Sequence, residues 1–139
     1  MLEDLQARMG VHFEQSYLLQ RALTHRSYRN ENPAVPEDNE RLEFLGDAVL
    51  NFVTAAWLYA EFPDYDEGGL TRLRSSLVRT EQLAQLAEQL GIGEHLLLGK
   101  GEKVSGGGQR DSILCAAFEA VVGALFLDQG LDTARDFIV

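Results

Sequence analysis

Three carboxylates, Glu40, Glu43 and Asp47, fall within one short segment, and a fourth, Glu119, is the only charged residue between Ile113 and Leu127. On a helix turning about 100° per residue, Glu40 and Asp47 lie about 20° apart in azimuth and Glu43 about 60° from Glu40. The three therefore share one stripe, where like charges repel by about a few tenths of a kcal/mol per exposed pair. Asp47 is surrounded in sequence by Phe44, Leu45, Ala48, Val49 and Leu50, so it is either half-buried or faces a cleft. Glu119 raises the same question more sharply, because an unpartnered ionised carboxylate in an apolar setting is protonated or costs on the order of several kcal/mol. Either a base neutralises these acids, with Arg41, Arg72, Arg74 and Arg79 as conceivable partners, or a cation does. Acids from two helices without histidine or cysteine suit a hard, oxygen-seeking ion such as Mg²⁺. Taken alone, Glu40 reads equally well as a solvated helix residue. A carboxylate-bridged di-iron bundle is set aside, since it uses Glu-x-x-His pairs and none of His12, His25 or His95 has a Glu three residues earlier.

The elements that must hold these residues are helices nearly throughout, with no alternating strand-like run. Leu2 to Met9 is stopped by Gly10, and Ser16 is placed to cap a helix through Leu23. Asn30 to Pro36, with two prolines and two asparagines, reads as a loop. A long helix over about residues 38–61 carries the first three acids and ends at Phe62-Pro63. Gly68-Gly69 reads as a break before helices over 70–78 and 81–90, with Thr80 as a cap and Gly91 as a stop. Residues 99–108 hold five of the 13 glycines and read as a flexible loop carrying Lys100, Lys103 and then Arg110. That segment lacks the closing Gly-Lys-Ser/Thr of a nucleotide-phosphate loop. Asp111 or Ser112 starts an apolar helix to about Asp128, which carries Glu119, and a last helix begins at Leu131.

At 139 residues the chain is one domain with a sizeable core. Its 45% apolar and 24% charged content excludes a disordered chain. The single cysteine, Cys115, excludes an internal disulfide framework and a cysteine-rich zinc site, and reads as a small buried hydrophobe. Residues 113–127 are too short to span a membrane, and no secretory signal opens the chain, so a reducing cytoplasm is the expected location. A net charge of −10 counts against a polyanion as partner unless cations neutralise part of it.

Asn39-Glu40-Arg41-Leu42-Glu43-Phe44-Leu45-Gly46-Asp47-Ala48-Val49-Leu50 resembles the signature of the ribonuclease III catalytic domain. Other segments agree in order: Ala22 to Tyr28 with the family's early helix end, Phe62-Pro63 and Gly68-Gly69-Leu70-Thr71 with its connector, and Asp111 through Phe118-Glu119-Ala120 to Asp128 with its second catalytic helix. The resemblance covers nearly the whole chain, residues 1–139. It implies the all-α ribonuclease III endonuclease fold, a symmetric homodimer, and Mg²⁺-dependent hydrolysis of double-stranded RNA to 5′-phosphate and 3′-hydroxyl ends, of the rRNA- and mRNA-processing class. Mn²⁺ is a conceivable substitute for Mg²⁺. Carried over by position, Glu43, Asp47 and Glu119 match metal ligands, with Asp47 and Glu119 as the catalytic pair. Glu40 and Glu67 match supporting acids of the cleft, and Phe44 an aromatic that plugs into the partner subunit.

The chain departs from the family at one site position. The pattern places an Asp three residues before Glu119, where this chain has Ala116. Three readings follow: an active enzyme in which water takes the missing ligand's place, a catalytically inactive relative that binds RNA or packs in an assembly, or a substitution introduced to trap a complex. Because Glu43, Asp47 and Glu119 are all retained, the first is preferred. Family members of this signature also continue into a C-terminal double-stranded-RNA-binding domain. Nothing here resembles one, and the sequence stops at Phe137-Ile138-Val139 without a helix-ending signal, so truncation is the expectation.

Overall fold

The computed structural model describes residues 2–139, and those residues form ten α-helices, one 3₁₀ turn and no β-strand. Ahead of the long helix come α1 (Leu2–Met9), α2 (Ser16–Ala22) and α3 (Arg26–Glu31). The two helices that carry the acids are α4 (Glu40–Glu61) and α9 (Asp111–Gln129). Between them run α5 (Glu67–Leu77), α6 (Thr80–Leu90), α7 (Ile92–His95), α8 (Lys100–Val104) and the 3₁₀ turn Gly107–Gln109, and α10 (Leu131–Ile138) follows.

α9 is the centre of the molecule. Ile113, Leu114 and every residue from Ala117 to Leu125 are buried on it. A helix apolar on all sides must be wrapped on all sides, and α4, α6, α2 and α10 do so. α4 is amphipathic in the ordinary way, burying Leu42, Gly46, Val49, Leu50, Val53 and Leu58 against it.

Four local expectations need correction. Asn30 and Glu31 belong to α3 and not to a loop; the helix starts because the His25 ring accepts from Ser27 N–H (3.1 Å). Gly68 and Gly69 lie inside the first turn of α5, where Asp66 caps the helix by accepting from Gly69 N–H (2.8 Å). Ser16 and Thr80 occupy the first helical positions, the caps being Gln15 and Arg79, neither of which makes a side-chain cap bond.

The largest correction concerns residues 99–108, which are α8 and the 3₁₀ turn instead of a flexible loop. Tertiary bonds order this glycine-rich stretch. Ser27 Oγ accepts from Gly99 N–H (2.8 Å), and the Glu31 carboxylate accepts from Lys100 N–H (2.9 and 3.1 Å), in the role of a helix cap. Arg110 is not a free cation: it closes the segment through an ion pair with Glu102 (2.6 Å). The short helix α7 gave no signal in the sequence. Gly91 does end α6 as expected, adopting the left-handed φ of +78° that an L side chain resists.

Candidate active site

Glycine places the acids. At Gly46 of α4 an added Cβ would lie 1.6 Å from the carbonyl oxygen of Glu119, and at Gly123 of α9 it would lie 2.4 Å from the carbonyl of Leu42. The two backbones therefore touch, which only a pair of helices with no side chain at the crossing can do. Asp47 follows Gly46 directly, so this contact carries Asp47 to Glu119.

Glu119 is buried, Glu43 is half-buried, and Asp47 is exposed at the rim. The Glu119 carboxyl is pushed up to about 8, first by burial, then by its hydrogen bond with Asp47 and by the charges of Asp47 and Glu43. Glu43 is also raised, by burial and by its neighbours Glu40 and Asp47. Asn51, one turn beyond Asp47, donates its Nδ2 to the Asp47 carbonyl (2.8 Å) and to Oδ1 (3.3 Å). Cys115 lies one turn before Glu119, beside the acids. Burial and Glu119 push its thiol up to about 12, against a hydrogen bond from Thr80. No described cation pairs with Glu43, Asp47 or Glu119; of the four candidate arginines, Arg41 pairs with Glu37 (3.7 Å).

The structure thus brings together Glu43, Asp47 and Glu119. Glu40 stands at the edge, exposed and paired with Arg26 (3.4 Å). Glu67 is exposed at the start of α5, with no hydrogen bond or ion pair to the cluster among the described residues. Phe44 is 82% exposed on the outer side of α4. Ala116 lines a cavity of about 190 Å³ together with His25, Asn39, Glu40, Glu43 and Ser112. A carboxylate at residue 116 would project into that space. Sequence reasoning does not single out Asn51, Thr80, Ser112 or His25 as site residues. A polar residue one turn from Asp47 or from Ala116 is a signal for Asn51 and Ser112, but no spacing brings Thr80 or His25 here.

The donor set suits a hard cation: carboxylates without a counter-charge among the described residues, one of which is pushed up to about 8 by burial and by its acidic neighbours. Among the described residues no three His, Cys, Asp or Glu side chains are grouped as a preformed cage. With Asp47 and Glu119 bonded to each other, a divalent ion must displace their shared proton, and Mg²⁺ needs only one or two carboxylates because it keeps several waters.

The protonated Glu119 has a pH consequence for the metal-free protein. Pushed up to about 8, the carboxyl lies well above the ordinary glutamate value of 4.5, so over that range the native state holds a proton that the unfolded chain has lost. The stability this contributes is full below about 4.5 and is lost as pH rises towards 8. In EDTA, the melting temperature is expected to fall by several degrees between pH 5.5 and pH 8.5, and Glu119→Gln to remove most of that slope. An equal slope in the variant would place the titration elsewhere.

The family model described as Ribonuclease-III-like matches residues 15–139. Ribonuclease 3 of Nitrosococcus oceani is 53% identical over 137 residues, covering 99% of this chain and 56% of that protein. Ribonuclease 3 of Chloroflexus aurantiacus is 50% identical over 141 residues, covering 99% and 58%. The chain thus spans less than two thirds of the length of the curated relatives it matches. Among solved structures, the nuclease domain of ribonuclease III from Campylobacter jejuni superposes with a TM-score of 0.92 at 37% identity, covering 99% of this chain and 92% of that one. That structure is described by the flexibility of a region involved in its dimer formation. A Dicer from Pichia stipitis matches at TM-score 0.65 and 31% identity, over 91% of this chain.

Proposed function

The chain belongs to the ribonuclease III family, and from that premise we propose that it is a divalent-cation-dependent endonuclease domain that hydrolyses double-stranded RNA to 5′-phosphate and 3′-hydroxyl ends. The observation that carries this reading is the cluster of Glu43, Asp47 and Glu119, coupled to one another and without a basic partner. Mg²⁺ held by these three would supply an activated water, a stabilised leaving oxygen and neutralised phosphate charge. The chain's own residues set the stage for that chemistry. The Gly46–Glu119 backbone contact sets the separation of the two helices. Asn51 holds the Asp47 carboxylate in one orientation. Burial keeps Glu119 protonated until a cation replaces the proton. The cavity at Ala116 has room for water where the family pattern has a carboxylate.

The working unit is a homodimer. Phe44, Phe52 and Tyr59 lie on α4 with 82%, 59% and 77% of their surfaces exposed, an aromatic face of the kind that marks an interaction surface. An apolar groove of about 210 Å³, walled by Leu50, Trp57, Leu77, Leu86 and Phe118, opens from the same helix and is large enough to receive a phenyl ring. Phe44→Glu is expected to weaken self-association by at least about 100-fold, the loss corresponding to one buried Phe of about 3 kcal/mol. Sedimentation at graded concentration reads this; an unchanged mass would remove Phe44 from the interface.

A second reading has one observation in its favour. Ala116 removes an acid, and a duplex-binding dimer without catalysis would result if the three remaining acids do not suffice. A gel assay on a long RNA duplex at low salt, with Mg²⁺ or Mn²⁺ and with EDTA as the blank, separates the two. Divalent-dependent products with 5′-phosphates support the nuclease; binding without product supports the alternative.

A further inference from the structure

The two nitrogens of His25 have different surroundings. Nδ1 accepts from Ser27 N–H (3.1 Å) and so caps α3, with Ser27 Oγ a further neighbour at 2.8 Å. Ser27 Oγ itself accepts from Gly99 N–H (2.8 Å), which leaves its hydroxyl proton for Nδ1. A backbone N–H can only donate, so Nδ1 must present its lone pair. The ring in this arrangement is neutral and carries its proton on Nε2. Among the described residues, the hydrogen bonds of the ring all fall on Nδ1.

The segment that carries this ring is pinned from two sides. His25 N–H donates to the Leu97 carbonyl (3.0 Å), and Leu97 N–H to the Leu23 carbonyl (2.8 Å). Asn39, the residue before α4, donates its N–H to the Thr24 carbonyl (2.9 Å) and its Nδ2 to the Ala22 carbonyl (3.1 Å). The end of α2 is thereby tied to the start of α4, and His25 keeps a fixed place relative to Glu40 and Glu43. These two acids and His25 line the same cavity of about 190 Å³, together with Ser112 and Ala116. A water held in such a space needs about two to four polar partners. Arg26 is paired with Glu40 (3.4 Å) and Asn39 Nδ2 with Ala22, so the side-chain donors left for the cavity are His25 Nε2–H and the Ser112 hydroxyl.

We propose that His25 is a positioning residue of the acid site: its Nε2–H donates to the oxygen that occupies the cavity at Ala116, and through that oxygen it strengthens divalent-cation binding by Glu43, Asp47 and Glu119. The proposal rests on the nuclease reading above and deepens it by naming what supports the site where a carboxylate is missing. With no side-chain oxygen at residue 116, the oxygen in the cavity is that of water, which by itself has no fixed orientation. A donor held rigidly on one side of it leaves a lone pair for a cation. Partners behind a ligand orient it and raise its basicity, and losing one costs about 10- to 100-fold in metal affinity or activity. A neutral ring does this without adding charge, so it does not compete with the cation for the acids as a guanidinium would.

Asn and Gln divide the two tasks of the ring, because an Asn amide stands where Nδ1 does and a Gln amide reaches towards the place of Nε2. Mn²⁺ binding to the RNA-free protein, read from the electron paramagnetic resonance of unbound Mn²⁺, is measured beside the melting temperature in EDTA. His25→Asn keeps an acceptor for Ser27 N–H. It is expected to melt close to wild type while its Mn²⁺ affinity falls by about 10-fold or more. His25→Gln loses the cap and is expected to melt lower by about a few degrees, with Mn²⁺ affinity near that of wild type. His25→Leu lacks both groups and is expected to show both losses. If His25→Asn does not fold, the Leu and Gln variants carry the test, and equal Mn²⁺ affinity in those two overturns the proposal. Wild-type affinity in a folded His25→Asn protein makes His25 a helix cap alone, which overturns the proposal and leaves the nuclease reading intact. Affinity that falls in step with melting temperature across all three variants overturns it as well. A wild-type chain that neither binds Mn²⁺ nor cuts duplex overturns both readings.

Discussion

Gly46→Ala is expected to cost more than about 3 kcal/mol, at or beyond the upper end of ordinary overpacking, and to lower the melting temperature by on the order of 10 °C. The reason is local. The added methyl would stand 1.6 Å from the backbone carbonyl of Glu119, and a backbone atom cannot rotate away as a side chain can. Either α4 and α9 separate along their whole length of packing, opening the core around Val49, Leu50 and Ala120, or the chain does not fold. Helix propensity argues the other way, since Ala is favoured over Gly in a helix interior by about 1 kcal/mol. Gly101→Ala is the control that isolates this: a Cβ there meets nothing within 4 Å, so a small gain is expected. Thermal denaturation followed by far-ultraviolet circular dichroism decides. A Gly46→Ala protein within a few degrees of wild type would mean that the helices slide without cost and that Asp47 is not held to Glu119 by this crossing. Cleavage is expected to vanish in the variant even if some folded protein survives, because the acids would no longer meet.

Ala116→Asp is expected to raise duplex cleavage by about 10- to 100-fold at limiting Mg²⁺, the scale on which a single group near a metal changes affinity or activity. It should also lower the Mg²⁺ concentration giving half-maximal rate. The new carboxylate enters the cavity beside Glu43 and Glu40, adding a ligand where wild type has room only for water. The same substitution has an opposite effect without metal. A fourth carboxylate joins a cluster that already holds Glu119 protonated, so in EDTA the melting temperature is expected to fall. With Mg²⁺ it should rise above that of wild type under the same conditions, because tighter binding to the folded state alone stabilises it. Activity and melting read together exclude a trivial folding effect. Equal rates for wild type and the Ala116→Asp variant over the whole Mg²⁺ range would show that residue 116 is not a ligand position in this chain. Activity only in the variant would make the chain with Ala116 the silent, duplex-binding form.

Much of the fold was legible in the sequence for one physical reason: helix patterns are local. Leu2–Met9, the long α4 and the apolar α9 follow from periodicity, stop signals and composition within each segment. The oddity of Asp47 and Glu119 was also legible, because a carboxylate embedded in apolar sequence stands out whatever the fold. Where the expectations failed, the deciding interaction came from elsewhere in the chain or from an unrecognised cap. Residues 99–108 have the composition of a loop, and Ser27 and Glu31, about 70 positions away, make them a helix and a turn. Gly68 and Gly69 look like breakers until Asp66 caps them into a helix.

The sequence by itself determined the helical class, the family resemblance, the residue types available for chemistry, and the absence of an acid at 116. Only the tertiary structure decided which acids meet and which of them burial and neighbouring charge push up. Glu43, Asp47 and Glu119 converge because two glycines on different helices let backbones touch, while Glu40 stands at the rim and Glu67 makes no hydrogen bond or ion pair to the cluster among the described residues. Whether a carboxyl keeps its proton depends on burial and on neighbours brought in by packing, and these are sums over space that no spacing along the chain contains.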